Sequence, residues 1–195
     1  MAENVFNKMA QRYDNEERVE LANTIARGIG QYLPQSAEKT LLDYGAGTGL
    51  VGLQFKDNFK HLIFSDLSEN MMEVVDEKIQ AGDIKHAETR SIENLKENEA
   101  DVIIVSLVMI HVPEYKALIK ELYSLLSPSG QLIIADFDKN DAVYHEKVHN
   151  GFTHEEMHTA IIEAGFKSAE IKTFYDGKNI FMNKDASMFI ASALK

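Results

Sequence analysis

The sequence predicts an α/β chain of alternating strands and helices, and three observations carry that prediction. Short apolar runs alternate with stretches of helical periodicity along most of the 195 residues. A glycine-rich stretch, Gly45, Gly47, Gly49 and Gly52, follows the first strand-like run. The last two runs, residues 168–177 and 187–195, leave no room for a helix between them and so pair antiparallel. The pattern is five βα units ending in an antiparallel hairpin, with helices on both faces of a doubly wound sheet.

Each element has its own signal. Residues 17–33 place Leu21, Ile25, Ile29 and Leu33 at helical spacing, closed by Pro34. "TLLDY" (40–44) reads as the first strand and residues 50–59 as a short helix. "HLIFSD" (61–66) is the second strand; Ser68 then caps a helix carrying Met71, Met72, Val75 and Ile79. "AETRSI" (87–92) supplies the third strand, and "DVIIVSLV" (101–108), apolar on both faces, the fourth. Pro113 opens a helix through Leu126, "SPSG" ends it, and "QLIIADF" (131–137) is the fifth strand. Thr153 with Glu156 three residues on forms a capping box for a helix that stops near Gly165.

Composition bounds the function. The length suits one domain, residues 1–195, without repeats, low-complexity tracts or a dividing linker. A formal net charge of −11 and the lack of lysine–arginine clusters argue against nucleic acid as a partner. There is no cysteine, hence no disulfide, thiolate metal site or cysteine nucleophile. The N-terminus lacks the apolar core of a signal peptide and no run approaches a membrane span, so the expectation is a cytoplasmic protein without membrane contact.

The glycine turn sits where a doubly wound sheet binds its ligand, at the carboxyl end of the first strand. Glycine permits positive φ and carries no Cβ to hold a ligand away. Asp66 ends the second strand about twenty residues later, where a carboxylate can accept both hydroxyls of a ribose. A ligand with an adenosine-like half therefore fits. A dinucleotide would call for G-x-G-x-x-G, but the third motif position here is Leu50 and the glycines run G-x-G-x-G.

That pattern, "LLDYGAGTGL", resembles the first motif of the class I S-adenosylmethionine-dependent methyltransferases. "IFSDLSENMM" is similar to their acidic second motif, "ADVIIVSLVMIHV" to their fourth strand and "LLSPSGQLIIADF" to their fifth. The resemblance covers nearly the whole chain. It implies a Rossmann-like sheet of seven strands in the order 3-2-1-4-5-7-6, the last strand antiparallel, and S-adenosylmethionine as cofactor. Carried over residue by residue, it places Asp43 near the amino group of the methionine moiety. Gly45, Ala46, Gly47 and Gly49 line the methionine and ribose, Asp66 holds the ribose hydroxyls, and Leu67 lies against adenine. Ser91 and Ile92 stand where the family often has an acidic residue facing the adenine amino group. Ser106 and Leu107 border the sulfonium. "FNKMAQRYD" resembles the N-terminal segment of small-molecule members, so Tyr13 closes over the cofactor, with residues 1–34 a helical cover and 138–152 a substrate-side lid.

The methyl acceptor is narrowed by absences. Cytosine C5 methylation needs a cysteine, and the N/D-P-P-Y type motif used on exocyclic amines is replaced by "SLVMIH". A compact small-molecule acceptor is the expectation, with an oxygen, nitrogen or carbon nucleophile attacking in line. His111, after the fourth strand, and His149, in the lid segment, are the candidate general bases. The i, i+4 pairs His145/His149 and His154/His158 invite a metal, but a Gly-Phe break separates the pairs, and no metal is expected. The alternatives are a nicotinamide-dependent oxidoreductase, which the missing third glycine disfavours, and a non-catalytic cofactor-binding module that acts through protein partners.

Overall fold

A computed structural model describes residues 14–33 and 36–195; Tyr13 and Pro34, singled out in the sequence, lie outside the described residues. Helix α1, Glu16–Gly30, starts where the Asn15 side chain accepts the Arg18 N–H at 2.9 Å, and it buries Ala22, Ile25, Ala26 and Ile29. Strands β1 (Thr40–Tyr44) and β2 (His61–Ser65) pair in parallel, and β2 pairs in parallel with β3, Ala87–Thr89. Between β2 and β3 runs α2, Glu69–Ala81, begun by the expected cap: the Ser68 hydroxyl accepts the Met71 N–H at 3.4 Å.

Strand β4 spans Ala100–Ser106 and pairs in parallel with β5, Leu126–Phe137; α3, Tyr115–Leu125, connects them. Val102–Val105 and Leu132–Ala135 are wholly buried, as strands covered on both faces must be. Burying each such aliphatic side chain stabilises the fold by about 1.5–3 kcal/mol. Helix α4, His154–Glu163, carries the full capping box: Thr153 Oγ1 accepts the Glu156 N–H, and the Glu156 carboxylate accepts the Thr153 N–H. Strands β6 (Ser168–Phe181) and β7 (Lys184–Leu194) close the chain as an antiparallel hairpin, with β7 also antiparallel to β5. The seven strands lie in the order β3-β2-β1-β4-β5-β7-β6, the topology that the sequence implied. Contacts gather into two compact units, residues 1–95 and 96–195.

Four segments depart from the sequence reading. The helix expected over 50–59 is one 3-10 turn, Gly52–Phe55, and β3 stops at Thr89, short of Ser91. Strand β5 begins before "QLIIADF": Leu126 already pairs with Ala100, and an irregularity with Ser129 in the left-handed region precedes the regular ladder at Val102 and Gln131. The terminal hairpin is longer than expected. It runs through Gly177, where the register slips, and turns at Met182–Asn183, both at positive φ as a tight two-residue hairpin turn demands.

Candidate functional site

The turn after β1 is fixed by its neighbour strand. The N–H groups of Gly45 and Ala46 both donate to the carbonyl of Ser65, at 2.8 and 3.0 Å, so the turn is tied over the end of β2. Gly45, Gly47 and Gly49 have φ of 73°, 55° and 77°, in the left-handed region where an L side chain is strained. Among the described residues a side chain at Gly47 would meet nothing within 4 Å, so the turn presents bare backbone to them there. Gly52 serves a different end. A Cβ there would strike the Asp43 carboxylate and come within 2.7 Å of the Phe64 ring, so only glycine lets the 3-10 turn pack on β1.

Two carboxylates flank this turn. Asp66 accepts the Gly47 N–H on Oδ2 and the Ser68 N–H on Oδ1, each at 2.9 Å. It therefore shapes the turn and the start of α2, while each oxygen keeps a further lone pair for a ligand. Asp43 is only 1% exposed; its Oδ2 accepts the Gly52 N–H at 3.1 Å, and its Oδ1 is buried without a partner among the described residues. Burial raises its pKa to about 7, against the Gly52 N–H that favours the anion and with the charge of Asp66 adding to the rise. A buried carboxylate with one unmatched oxygen calls for a donor. Leu67, directly after Asp66, is 89% exposed, an apolar surface left open beside the acid. Ser91 precedes a 3-10 turn, Ile92–Asn94, and its hydroxyl accepts the Asn94 side-chain N–H at 2.7 Å.

In the second unit the end of β4 carries its own irregularity. Leu107, directly after Ser106, has φ of 56° with its N–H bonded to the carbonyl of Ala135. A bulky residue in that region stores strain of order 1–3 kcal/mol. A 3-10 turn, Met109–His111, follows, with His111 at its end. His111 is exposed on one side, and partial burial of the ring holds its pKa below the usual range. The structure brings His149 to the same turn: its N–H donates to the Ile110 carbonyl at 2.8 Å, and its ring lies edge-on to Tyr115 at 5.7 Å and 5.1 Å from Phe152.

Beneath this turn lies an acid that the sequence reading missed. Asp136, fully buried near the end of β5, accepts the Phe137 N–H at 2.8 Å and the Ile110 N–H at 3.4 Å. Burial raises its pKa to about 7, opposed by these backbone donors. Nothing in "LIIADF" marks it, because its second donor, Ile110, lies 26 residues earlier in the chain.

The other histidines do not join this cluster. His154, at the start of α4, pairs through Nε2 with Asp138 at 2.9 Å, and Thr173 donates to the same carboxylate at 2.8 Å. His145 accepts the Lys147 N–H and is exposed, as is His158. Among the described residues no group of three or more His, Cys, Asp or Glu could hold a metal, and no helix is long and apolar enough to cross a membrane.

Comparison with known proteins accords with this geometry. Residues 13–171 match the model of a family described as a methyltransferase domain. An uncharacterized methyltransferase of Schizosaccharomyces pombe is 23% identical over 183 residues, covering 82% of this chain and 64% of the relative. A demethylmenaquinone methyltransferase of Listeria welshimeri is 27% identical over 96 residues, covering 47% of this chain and 41% of the relative. The chain thus spans between two fifths and two thirds of the length of these curated relatives. The crystal structure of an S-adenosylmethionine-dependent methyltransferase from Aquifex aeolicus superposes with a TM-score of 0.71 at 18% identity, covering 96% of this chain and 97% of that one. The glycine turn, the paired acids, the strand order and a family match that spans most of the sequence agree, and the chain belongs to the class I S-adenosylmethionine-dependent methyltransferases.

Proposed function

We propose that this protein transfers the methyl group of S-adenosylmethionine to a small-molecule acceptor. The observation that carries the reading is the bare turn at Gly47, held by Asp66, whose carboxylate keeps lone pairs free beside the exposed Leu67. These residues fit the cofactor. Asp66 would hold the ribose hydroxyls, Leu67 and Ile92 the adenine faces, and Ser91 the adenine amino group. Gly45, Ala46, Gly47 and Gly49 would offer backbone to the methionine and ribose. The unmatched Asp43 oxygen would take a donor from the amino group, directly or through one water. When bound, the cofactor supplies an electrophilic methyl on a sulfonium.

The chain's own part is to position and, where the acceptor needs it, to remove a proton. Ser106 and Leu107 are assigned to the sulfonium side, and the strained backbone at Leu107 supports that choice. His111 and His149 are assigned to the acceptor side, His111 as the preferred base because partial burial favours its neutral form. Residues 1–34 as a cover and 138–152 as a lid complete the reading of residues 1–195 as one domain. A net charge of −11 disfavours polyanionic acceptors, and a relative named a demethylmenaquinone methyltransferase supports a small-molecule one.

Calorimetry tests the cofactor half. The protein should bind S-adenosylmethionine and S-adenosylhomocysteine and ignore NAD; binding of NAD with no response to S-adenosylhomocysteine would refute the reading. A panel of small acceptors, read by S-adenosylhomocysteine release, tests the second half. Turnover on RNA or on a protein, with none on small molecules, would replace the acceptor class.

A further inference from the structure

We propose that Asp14, Thr48 and Lys78 form a clamp that sets the conformation of the glycine turn, so that cofactor affinity depends on a contact made behind the binding surface. This rests on the functional reading above. Three hydrogen bonds close the clamp. Lys78, in the last turn of α2, donates through Nζ to the Thr48 carbonyl and to Asp14 Oδ2, both at 2.6 Å. The Thr48 hydroxyl donates to Asp14 Oδ1 at 2.5 Å. The three residues come from distant parts of the chain, Asp14 lying 34 residues from Thr48 and 64 from Lys78.

The arrangement differs from an ordinary surface ion pair. The Lys78 and Asp14 side chains are 30% and 19% exposed, and Thr48 is buried at 7%. Pairs this protected are screened less than exposed ones, and both partners make a second bond that fixes their geometry. Thr48 stands between Gly47 and Gly49, two residues whose backbones are intrinsically free. On one side of it the Gly47 N–H is held by Asp66; the Thr48 carbonyl and hydroxyl are held by Lys78 and Asp14. A glycine turn released from one of these anchors must be ordered again by its ligand, and that ordering lowers affinity. Lys78 and Asp14 are thus positioning residues that act through Thr48.

The test uses the full chain and S-adenosylhomocysteine as probe, with affinities measured by calorimetry well below each variant's melting temperature. Lys78→Met, Asp14→Asn and Thr48→Val should each weaken binding roughly 5- to 20-fold. Thr48→Ser, which keeps the hydroxyl, should bind within about threefold of wild type. The Lys78→Met/Asp14→Asn double variant should be little worse than the weaker single one, because the two residues act as a unit. Amide exchange at Thr48 and Gly49 in the free protein should quicken at least about tenfold in Lys78→Met. Folded variants that bind within about twofold of wild type, with unchanged exchange, would overturn the clamp and leave these contacts a purely structural tie. A wild-type protein that ignores the probe would defeat the functional reading instead, and the exchange comparison would still decide the clamp.

Discussion

Replacing Asp43 with asparagine should abolish the pH dependence of cofactor binding near neutrality. Burial holds the Asp43 carboxyl at about 7, where an exposed aspartate titrates near 3.8. The free protein at pH 6 therefore carries Asp43 almost wholly protonated. A cationic amino group placed beside it, directly or through a water, favours the anion and drives the proton off. If the bound state pulls the pKa below about 5, binding at pH 6 releases roughly 0.9 proton. Affinity then rises about eightfold between pH 6 and 7.5 and levels off above that. Calorimetry with S-adenosylhomocysteine in buffers of different ionisation enthalpy counts the proton directly. Asp43→Asn keeps the shape and the Gly52 hydrogen bond, so it should bind with a flat pH profile. A flat profile in the wild type, or the same slope in Asp43→Asn, would show that Asp43 does not face the ligand's charge.

Three further outcomes follow from the same residues. Asp66→Ala should weaken S-adenosylhomocysteine binding roughly 10- to 100-fold, with Asp66→Asn intermediate. A small drop in melting temperature should accompany it, since Asp66 also holds the Gly47 and Ser68 N–H groups; affinity within about twofold of wild type would place the ribose elsewhere. His111→Gln or His149→Gln should lower turnover and leave cofactor affinity unchanged, with the wild-type rate falling on the acid side of neutrality as His111 protonates. Full turnover in both variants would mean that positioning alone suffices. Asp136, raised from 3.8 to about 7, stays protonated in the native state where the unfolded chain has ionised. Its contribution to stability is therefore complete below about pH 4 and lost as pH rises to about 7, at most roughly 4 kcal/mol. Asp136→Asn should flatten that part of the melting-temperature profile, and an unaltered slope would show that another group produces it.

What the sequence made legible was local. Ser68 and Thr153 with Glu156 cap the helices expected of them, because a cap needs only residues within one turn. The glycine turn was legible for the same reason: positive φ is a backbone requirement stated by a residue type beside a strand. The failures are long-range. Residues 50–59 have helical periodicity, yet the chain must pass Gly52 against Asp43 and Phe64, and the tight approach leaves a single 3-10 turn. "DG" at Asp176–Gly177 signals a turn, but the ladder with β7 continues past it, and the chain reverses at Met182–Asn183, where no glycine announces the left-handed backbone. Lys78 reads as an ordinary helix-end lysine because its partners lie 30 and 64 residues away.

Asp43 and Asp136 separate two uses of one physical device. Both lie toward the carboxyl ends of buried strands, both are wholly buried, and burial raises both to about 7. Their hydrogen bonds differ. Asp136 has each oxygen matched to a backbone N–H, from Phe137 and Ile110, so its carboxyl ties the turn before His111 to β5. Asp43 has one oxygen matched by Gly52 and one matched by nothing among the described residues. An unmatched buried acceptor costs about 1–3 kcal/mol, a cost that a purely structural residue has no reason to retain. Asparagine at position 136 could turn its amide oxygen to one donor but would leave its NH₂ facing another, so the carboxyl is the group that the structural site needs. At position 43 the requirement runs the other way, toward a donor that none of the described residues provides. Of the two acids, Asp43 is the one with an oxygen left unmatched among the described residues, and it is the one proposed to take the ligand's donor.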